Sequence, residues 1–518
     1  MPVAFLSDDP TYRYGRYTAE PTAEQLAKYF YLDDADRTLV ARRREDHTRL
    51  GFAIQLGTVR FLGTFLTDPT DVPPGIVTHM SRQLNVSDPS CLPRYMDRSV
   101  THYEHAQEIK RRYGYQDFHS HPEYFRLVRW LYTRAWLSAE RPSVLFDLAT
   151  ARLVERKVLL PGVTVLERLV ARIRDRAATR LWHILAGLPN ADQQARLETL
   201  VQVPDGARSS PLDQLRRAPT RVSGPALIEA LQRFDDIRAI GVGELSLDHV
   251  PPSRLRALAR YGAAARAQAI ARMAQERRIA TLLAFARAFE FIAIDDALDL
   301  LDLLISDIIH DAQSDGEKER LRTLRDLDAA AMQLWDALRI LLDESVDAAA
   351  IRTQTYAQVP RERLLEAGSQ VEALTRPPDD HYYPEMVDRY RRVRRFLPAL
   401  LCTVSFEGSQ AGEPMLKTLD FLHQIENQRR PDMQQAPLDI VPSAWRRLVK
   451  PPRASVVDRQ AYTLCAVERL QDNLRRRDIF VPRSERWGDP RIKLLQGEQW
   501  EAMRPRVGFF AQRLELGE

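Results

Sequence analysis

Arg168, Arg172 and Arg176 fall at i, i+4 and i+8 in the stretch LERLVARIRDRAATR. On a helix such positions share one broad face, and Leu166, Leu169, Val170, Ile173 and Ala177 recur at helical spacing on the other side. A helix held by its apolar face and presenting guanidiniums outward can bind phosphates. With its first turns in a major groove it can also read base edges. The plainer reading is a solvated charged face on a bundle helix. Other cations cluster upstream: Arg42, Arg43 and Arg44 in a run, then Arg49 and Arg60, then Lys110, Arg111 and Arg112 followed by Tyr113 and Tyr115. Basic residues beside aromatics suit phosphate contact combined with stacking.

Residues for bond-breaking chemistry are scarce. There is no phosphate-cradling Walker loop, no G-x-S-x-G elbow and no H-E-x-x-H. Gly241-Val242-Gly243 lacks the third glycine of a dinucleotide fingerprint. Neighbouring acids such as Asp235-Asp236, Asp295-Asp296 and Asp379-Asp380 point about 100° apart on a helix and make poor two-metal sites, so they read as solvated ends and caps. His102 and His105 stand one turn apart without a third ligand at metal-binding spacing, and read as surface or DNA-contacting histidines. The expectation is no catalytic residue, no metal ligand and no cofactor in this chain.

The elements that must carry the cations follow from the pattern. Leu145 to Arg180 reads as two helices broken by a short turn at Pro161-Gly162, a helix-turn-helix, with Thr164 and Glu167 as a capping box opening the second helix. Glu123 to Leu137 is an aromatic-rich helix expected to pack beneath that pair. Upstream, helices are expected from Thr22 with Gln25 in the capping-box position, from about Asp34, from about Asp46, and from Ile76 to Leu84. Another covers Ser99 to Tyr115, with Thr101 and Glu104 as a second capping box. Further on, an Ala/Arg-rich helix is expected from Arg254 to about Ala288. Its continuation carries Ile294, Leu298, Leu301, Ile305, Ile308 and Ala312 on a wide apolar face, suited to its own neighbours or to a helix pair with a second copy.

Composition sets the class. At 518 residues, with 44% hydrophobic and 28% charged residues, the chain suits several helical domains, so an all-α multidomain protein is expected. Three separated cysteines, Cys91, Cys402 and Cys465, give neither a disulfide framework nor a zinc cluster, and a reducing, cytoplasmic setting fits. The N-terminus lacks the pattern of a secretion signal, and no apolar run is long enough to span a membrane. The formal net charge of +4 is unevenly spread. Residues 100–180 hold fifteen Lys/Arg against nine Asp/Glu, and residues 290–350 hold five against sixteen. Phosphate binding is therefore expected in the first third, with the acidic middle avoiding DNA or facing a protein partner. Breaks in composition divide the chain at 1–98, 99–222, 223–375 and 376–518: two DNA-binding modules, a helical region that could dimerise, and a helical scaffold.

Several long blocks add a resemblance. RYGRYT, DRTLVARRREDHTRLGFAIQLGTVRFLGTFLTDPTDVPP, EIKRRYGYQDF, KVLLPGVTVLERLVARIRD, FIAIDDALDLLDLL, RRFLPALL and LCAVERLQDNLRRRDIFVPRSERWGDPR resemble, in order, the N-terminal half of transposases of the Tn-three family of replicative transposons. The resemblance implies helical domains that bind double-stranded DNA at the terminal inverted repeats, a dimerising region, and a scaffold leading to a ribonuclease-H-like domain. In that family two aspartates and a glutamate of the last domain bind magnesium and drive strand cleavage and transfer. Those acids would lie beyond Glu518, so the resemblance implies a chain that binds DNA without cutting it. Two further roles are expected from the same facts: a regulatory competitor of an intact transposase, or a part completing a strand-transfer enzyme in trans.

Overall fold

A computed structural model of the chain describes residues 13–374, 382–426, 428, 431–452 and 454–493. These residues are overwhelmingly helical. Among them the only sheet is β1 (Glu407–Gly408) against β2 (Ile479–Phe480), two antiparallel two-residue strands. The all-α expectation holds. Two units emerge from the contacts, one formed by Met1–Glu198 with Leu245–Phe285 and the other by Thr199–Glu244 with Ala286–Glu518.

The first unit opens with α1 (Ala23–Tyr29), α2 (Asp34–Val40), α3 (Asp46–Leu62), α4 (Pro74–Leu84) and α5 (Ser99–Tyr113). The capping box on α1 forms as expected: the Gln25 N–H donates to Thr22 Oγ1 at 3.2 Å and the Thr22 N–H to Gln25 Oε1 at 2.9 Å. Asp33 and Asp36 make a second box on α2. Helix α3 is the axis of this part, buried at every position from Leu50 to Val59 rather than along one face. Two glycines allow such close packing. A Cβ on Gly57 would lie 2.3 Å from the Phe30 ring, and one on Gly51 2.4 Å from the Tyr95 ring.

Two expectations fail on α5. The helix starts at Ser99 with Arg98 as its N-cap, so Thr101 already lies inside the first turn and no capping box with Glu104 forms. His102 and His105 are core residues, 6% and 9% exposed, rather than surface or DNA-contacting ones. His105 Nδ1 sits 2.7 Å from the Tyr95 hydroxyl, and its ring packs edge-on against Phe52.

A second core in the same unit joins α6 (Glu123–Leu137), α7 (Pro142–Glu155) and α8 (Val163–Ala186). The Ala/Arg-rich helix expected over 254–288 is broken. Pro252–Ala264 and Ala267–Ala271 are separate helices, and the next helix starts at Gln275. No glycine or proline marks the break. Arg278 holds the turn there, donating to the carbonyls of Ala271 and Met273 at 3.2 and 3.0 Å and to the Glu198 carboxylate at 2.7 Å.

In the second unit α9 (Gly224–Arg238) packs along α11 (Tyr390–Thr403), which also meets α12 (Glu413–Glu426) and α13 (Arg459–Arg476). Helix α10 (Gln275–Leu341) starts within the first unit and its greater part belongs to the second. Its stripe of Ile294, Leu298, Leu301, Ile305, Ile308 and Ala312 is at most 1% exposed in a single chain, which rules out those residues as a free dimer face. The acidic edge beside the stripe is matched internally. Asp302 takes Arg475 Nε at 2.7 Å, Asp299 takes the Trp487 indole N–H at 2.7 Å, and Asp295 and Glu290 meet Arg486 and Arg483. These carboxylates face their own chain, not the partner protein the charge count suggested.

Candidate nucleic-acid interface

The sequence that builds the three-helix core also decides which side of α8 stays in solvent. Leu127, Leu131 and Ala135 of α6 and Leu145, Phe146, Ala149 and Leu153 of α7 close on Leu166, Leu169, Val170, Ile173 and Ala177 of α8. Every α8 residue assigned to the apolar face is buried. Fully burying one such aliphatic side chain stabilises by about 1.5–3 kcal/mol, which fixes the rotation of α8 firmly. Arg168, Arg172 and Arg176 are therefore exposed, and none forms an ion pair among the described residues. Thr164 and Val165 are exposed on the first turn.

The start of α8 differs from the expected one. Gly162 is the N-cap, no side chain caps the helix, and Thr164 lies one residue inside it. The proline-glycine pair brings the chain into helical geometry two residues too early for Thr164 to act as cap. Glu167 is buried. The connection from α7 to α8 covers residues 156–162, longer than a tight turn, and it is tied down at both ends. The Gln116 N–H donates to the Lys157 carbonyl at 2.9 Å, the Leu159 N–H to the Gln116 carbonyl at 2.9 Å and the Leu160 N–H to the Gly63 carbonyl at 3.0 Å. At the far end, Glu123 fixes α6 to the last residues of α7. Its carboxylate accepts from Arg156 Nε at 2.5 Å and Nη2 at 3.0 Å and also pairs with Arg126, which holds its pKa at about 2.

The α8 face has features beyond those read from the sequence. Arg180 continues the four-residue series; it lies over the Trp136 ring at 4.8 Å and donates to the Tyr132 hydroxyl at 3.3 Å, so aromatic residues of α6 orient it. The signal was the unbroken i+4 spacing. Arg174 turns toward the protein, where burial lowers its pKa and Asp175 partly offsets that. Nearby Arg254 is likewise lowered by burial and then by the Arg174 charge.

The upstream cations divide into two groups. Arg43 is held by the Glu108 carboxylate and the Leu39 carbonyl, with its guanidinium 3.7 Å over the Phe52 ring. Arg60 clamps Asp36 through two bonds of 2.8 and 2.9 Å, and Tyr113 donates a third to the same carboxylate. Burial raises the Asp36 pKa, but those donors outweigh it and leave the group below the ordinary carboxylate range. Arg49 bridges Asp46 and the Leu84 carbonyl at 2.9 Å each, and Lys110 pairs with Asp117. Arg42, Arg44, Arg111 and Arg112 are exposed and without ion pairs among the described residues. Among the described residues no group of three His, Cys, Asp or Glu is placed to hold a metal ion, and no helix is long and apolar enough to cross a membrane.

Comparison with known proteins identifies the lineage. A family described as a domain of unknown function (DUF4158) matches residues 5–173, which takes in α1 to α7 and the first turns of α8. The chain is 48% identical over 504 residues to the transposase for transposon gamma-delta of Escherichia coli (strain K12), covering 97% of this chain and 50% of that protein. It is 35% identical over 329 residues to the transposase for transposon Tn4556 of Streptomyces fradiae, covering 59% and 37%. A match of 26% over 487 residues links it to the transposase for transposon Tn501 of Pseudomonas aeruginosa, covering 93% and 48%. The chain spans about half the length of the gamma-delta and Tn501 transposases and less of the Tn4556 one. By these matches the chain belongs with the transposases of Tn-three-family transposons.

Proposed function

We propose that this chain is the DNA-binding part of a replicative transposase, recognising the terminal inverted repeats of its transposon through a helix-turn-helix-like module made of α7 and α8. One observation carries the reading. Helix α8 keeps Arg168, Arg172 and Arg176 exposed at four-residue spacing, without ion pairs among the described residues, on a helix whose rotation is fixed by its core, whereas Arg43, Arg49 and Arg60 upstream are tied to acids. Arg168, with Thr164, takes the base-reading role at the start of the helix, while Arg172 and Arg176 bind flanking phosphates. Arg42, Arg44, Arg111 and Arg112 supply further phosphate contacts. The work takes place on DNA in the bacterial cytoplasm.

A gel shift of the 518-residue polypeptide with a transposon-end duplex and a scrambled duplex tests the reading. The end duplex is expected to bind more tightly, and equal affinity for both overturns it. Magnesium in the same incubation should leave the duplex unnicked, because among the described residues no three His, Cys, Asp or Glu are placed to hold a metal ion. A second copy is the natural partner for the distal part of α10. Met332, Trp335 and Leu338 on that helix, with Leu342 just after it, are 61%, 52%, 43% and 63% exposed and spaced along one side. Sedimentation of the same preparation as a monomer at micromolar concentration would remove the dimer from the proposal.

A further inference from the structure

We infer a second DNA-backbone site in the other unit, at the pocket before α9, where Arg217 and Arg221 receive a phosphodiester. The pocket has a volume of about 450 Å³ and is lined by the segment Arg217–Arg221 together with Ser223, Glu229 and Arg233. Arg217 and Arg221 are exposed and form no ion pair among the described residues. Arg233, at the back, is 8% exposed. It is neutralised by Asp296 at 2.5 Å and donates to the Arg217 carbonyl at 2.5 Å, which fixes the segment bearing the two free guanidiniums. Against those two cations the lining sets one carboxylate, Glu229, so the pocket keeps a positive surplus.

The start of the helix adds little. Pro225 has no N–H, and the Ala226 and Leu227 N–H groups are used by Ser223. The guanidiniums therefore make the site, with bidentate geometry suited to phosphate oxygens. The neighbouring helix extends the same chemistry. A Cβ on Gly224 would lie 3.8 Å from the Phe396 ring and 3.9 Å from the Arg392 carbonyl, so the first turn of α9 is seated on α11. On α11, Tyr390, Val393, Phe396 and Leu397 are buried while Arg391, Arg394 and Arg395 stay exposed and without ion pairs among the described residues. Helix α11, packed against α9, thus adds exposed cations to the same unit.

This inference rests on the DNA-binding reading, and its test separates the two. The full chain and the double variant Arg217→Gln/Arg221→Gln are titrated with an end duplex and a scrambled duplex over a range of salt. Each lost phosphate contact should reduce the log–log salt slope by about 0.9, so the double variant should lose up to about 1.8 on both duplexes, with its preference for the end duplex intact. Ethylation interference should lose one or two phosphate positions in the variant. Glu229→Gln, which removes the opposing carboxylate, should tighten binding. An unchanged slope and an unchanged interference pattern overturn the second site even if end preference is found. Loss of end preference in the wild-type chain, with the slope change present, overturns the inverted-repeat reading and leaves this site standing. A wild-type chain that binds no duplex overturns both.

Discussion

The arginines of the α2–α5 region and those of α8 are the same residue type in the same unit, and they do different work. Arg43 and Arg60 sit over aromatic rings and satisfy buried or half-buried acids. Arg168, Arg172 and Arg176 stand on a helix whose only buried acid, Glu167, lies on the other side, and they form no ion pairs among the described residues. The difference lies in what the surrounding core offers. The α3 core is lined by elements that carry Asp36 and Glu108, and a guanidinium that reaches them is drawn in. The residues of α6 and α7 that close on α8 are apolar, and Glu123, the buried acid of α6, is already taken by Arg156 and Arg126, so it does not draw Arg168, Arg172 or Arg176 inward.

That contrast is most directly broken at Arg60. Arg60→Ala leaves Asp36, 1% exposed, without its charged partner, and should cost about 3–5 kcal/mol in urea unfolding. A cost below about 1 kcal/mol would make Arg60 a surface cation like those of α8. The complementary variant, Arg168→Ala/Arg172→Ala, should change unfolding by no more than about 0.5 kcal/mol. It should weaken binding to a transposon-end duplex by about 1–3 kcal/mol, and by less on a scrambled duplex. If the weakening were the same on both duplexes, Arg168 would be a phosphate ligand and not a base reader.

A further expected effect concerns pH. Burial, then the Arg43 charge, lowers the pKa of His105 from the ordinary 6.5 to about 4. Between those values the unfolded chain binds the proton and the folded chain does not. The His105 contribution is therefore complete above about pH 6.5 and is lost as pH falls toward 4. Below that window the carboxylates Asp36 and Glu123, held low by their arginines, give up their contributions in turn. Thermal melts of the wild type and of His105→Gln should converge as pH drops from 6.5 to 4. Parallel curves would show that this imidazole is not held neutral by the α3 core.

Much of the local architecture was written in the chain. The periodicity of Leu166, Leu169, Val170, Ile173 and Ala177 fixed the buried side of α8, and hence the exposed side, because a 3.6-residue repeat determines both. The capping box at Thr22 and the span of Glu123–Leu137 followed from local chemistry in the same way. Capping at Thr164 and Thr101 did not, because a helix that begins two or three residues early turns a cap into an interior residue, and what precedes it sets the start.

Pairing was beyond the sequence. Asp36 and Arg60 are 24 residues apart and Arg43 and Glu108 are 65 apart, and no spacing rule links them. The acidic run on α10 looked free because its arginine partners lie more than 160 residues downstream. Composition determined that this chain is helical and where its cations are concentrated. Only tertiary contact decided which cations remain available to a phosphate, since a charge counted along the chain is cancelled by whatever folding brings within about 4 Å of it.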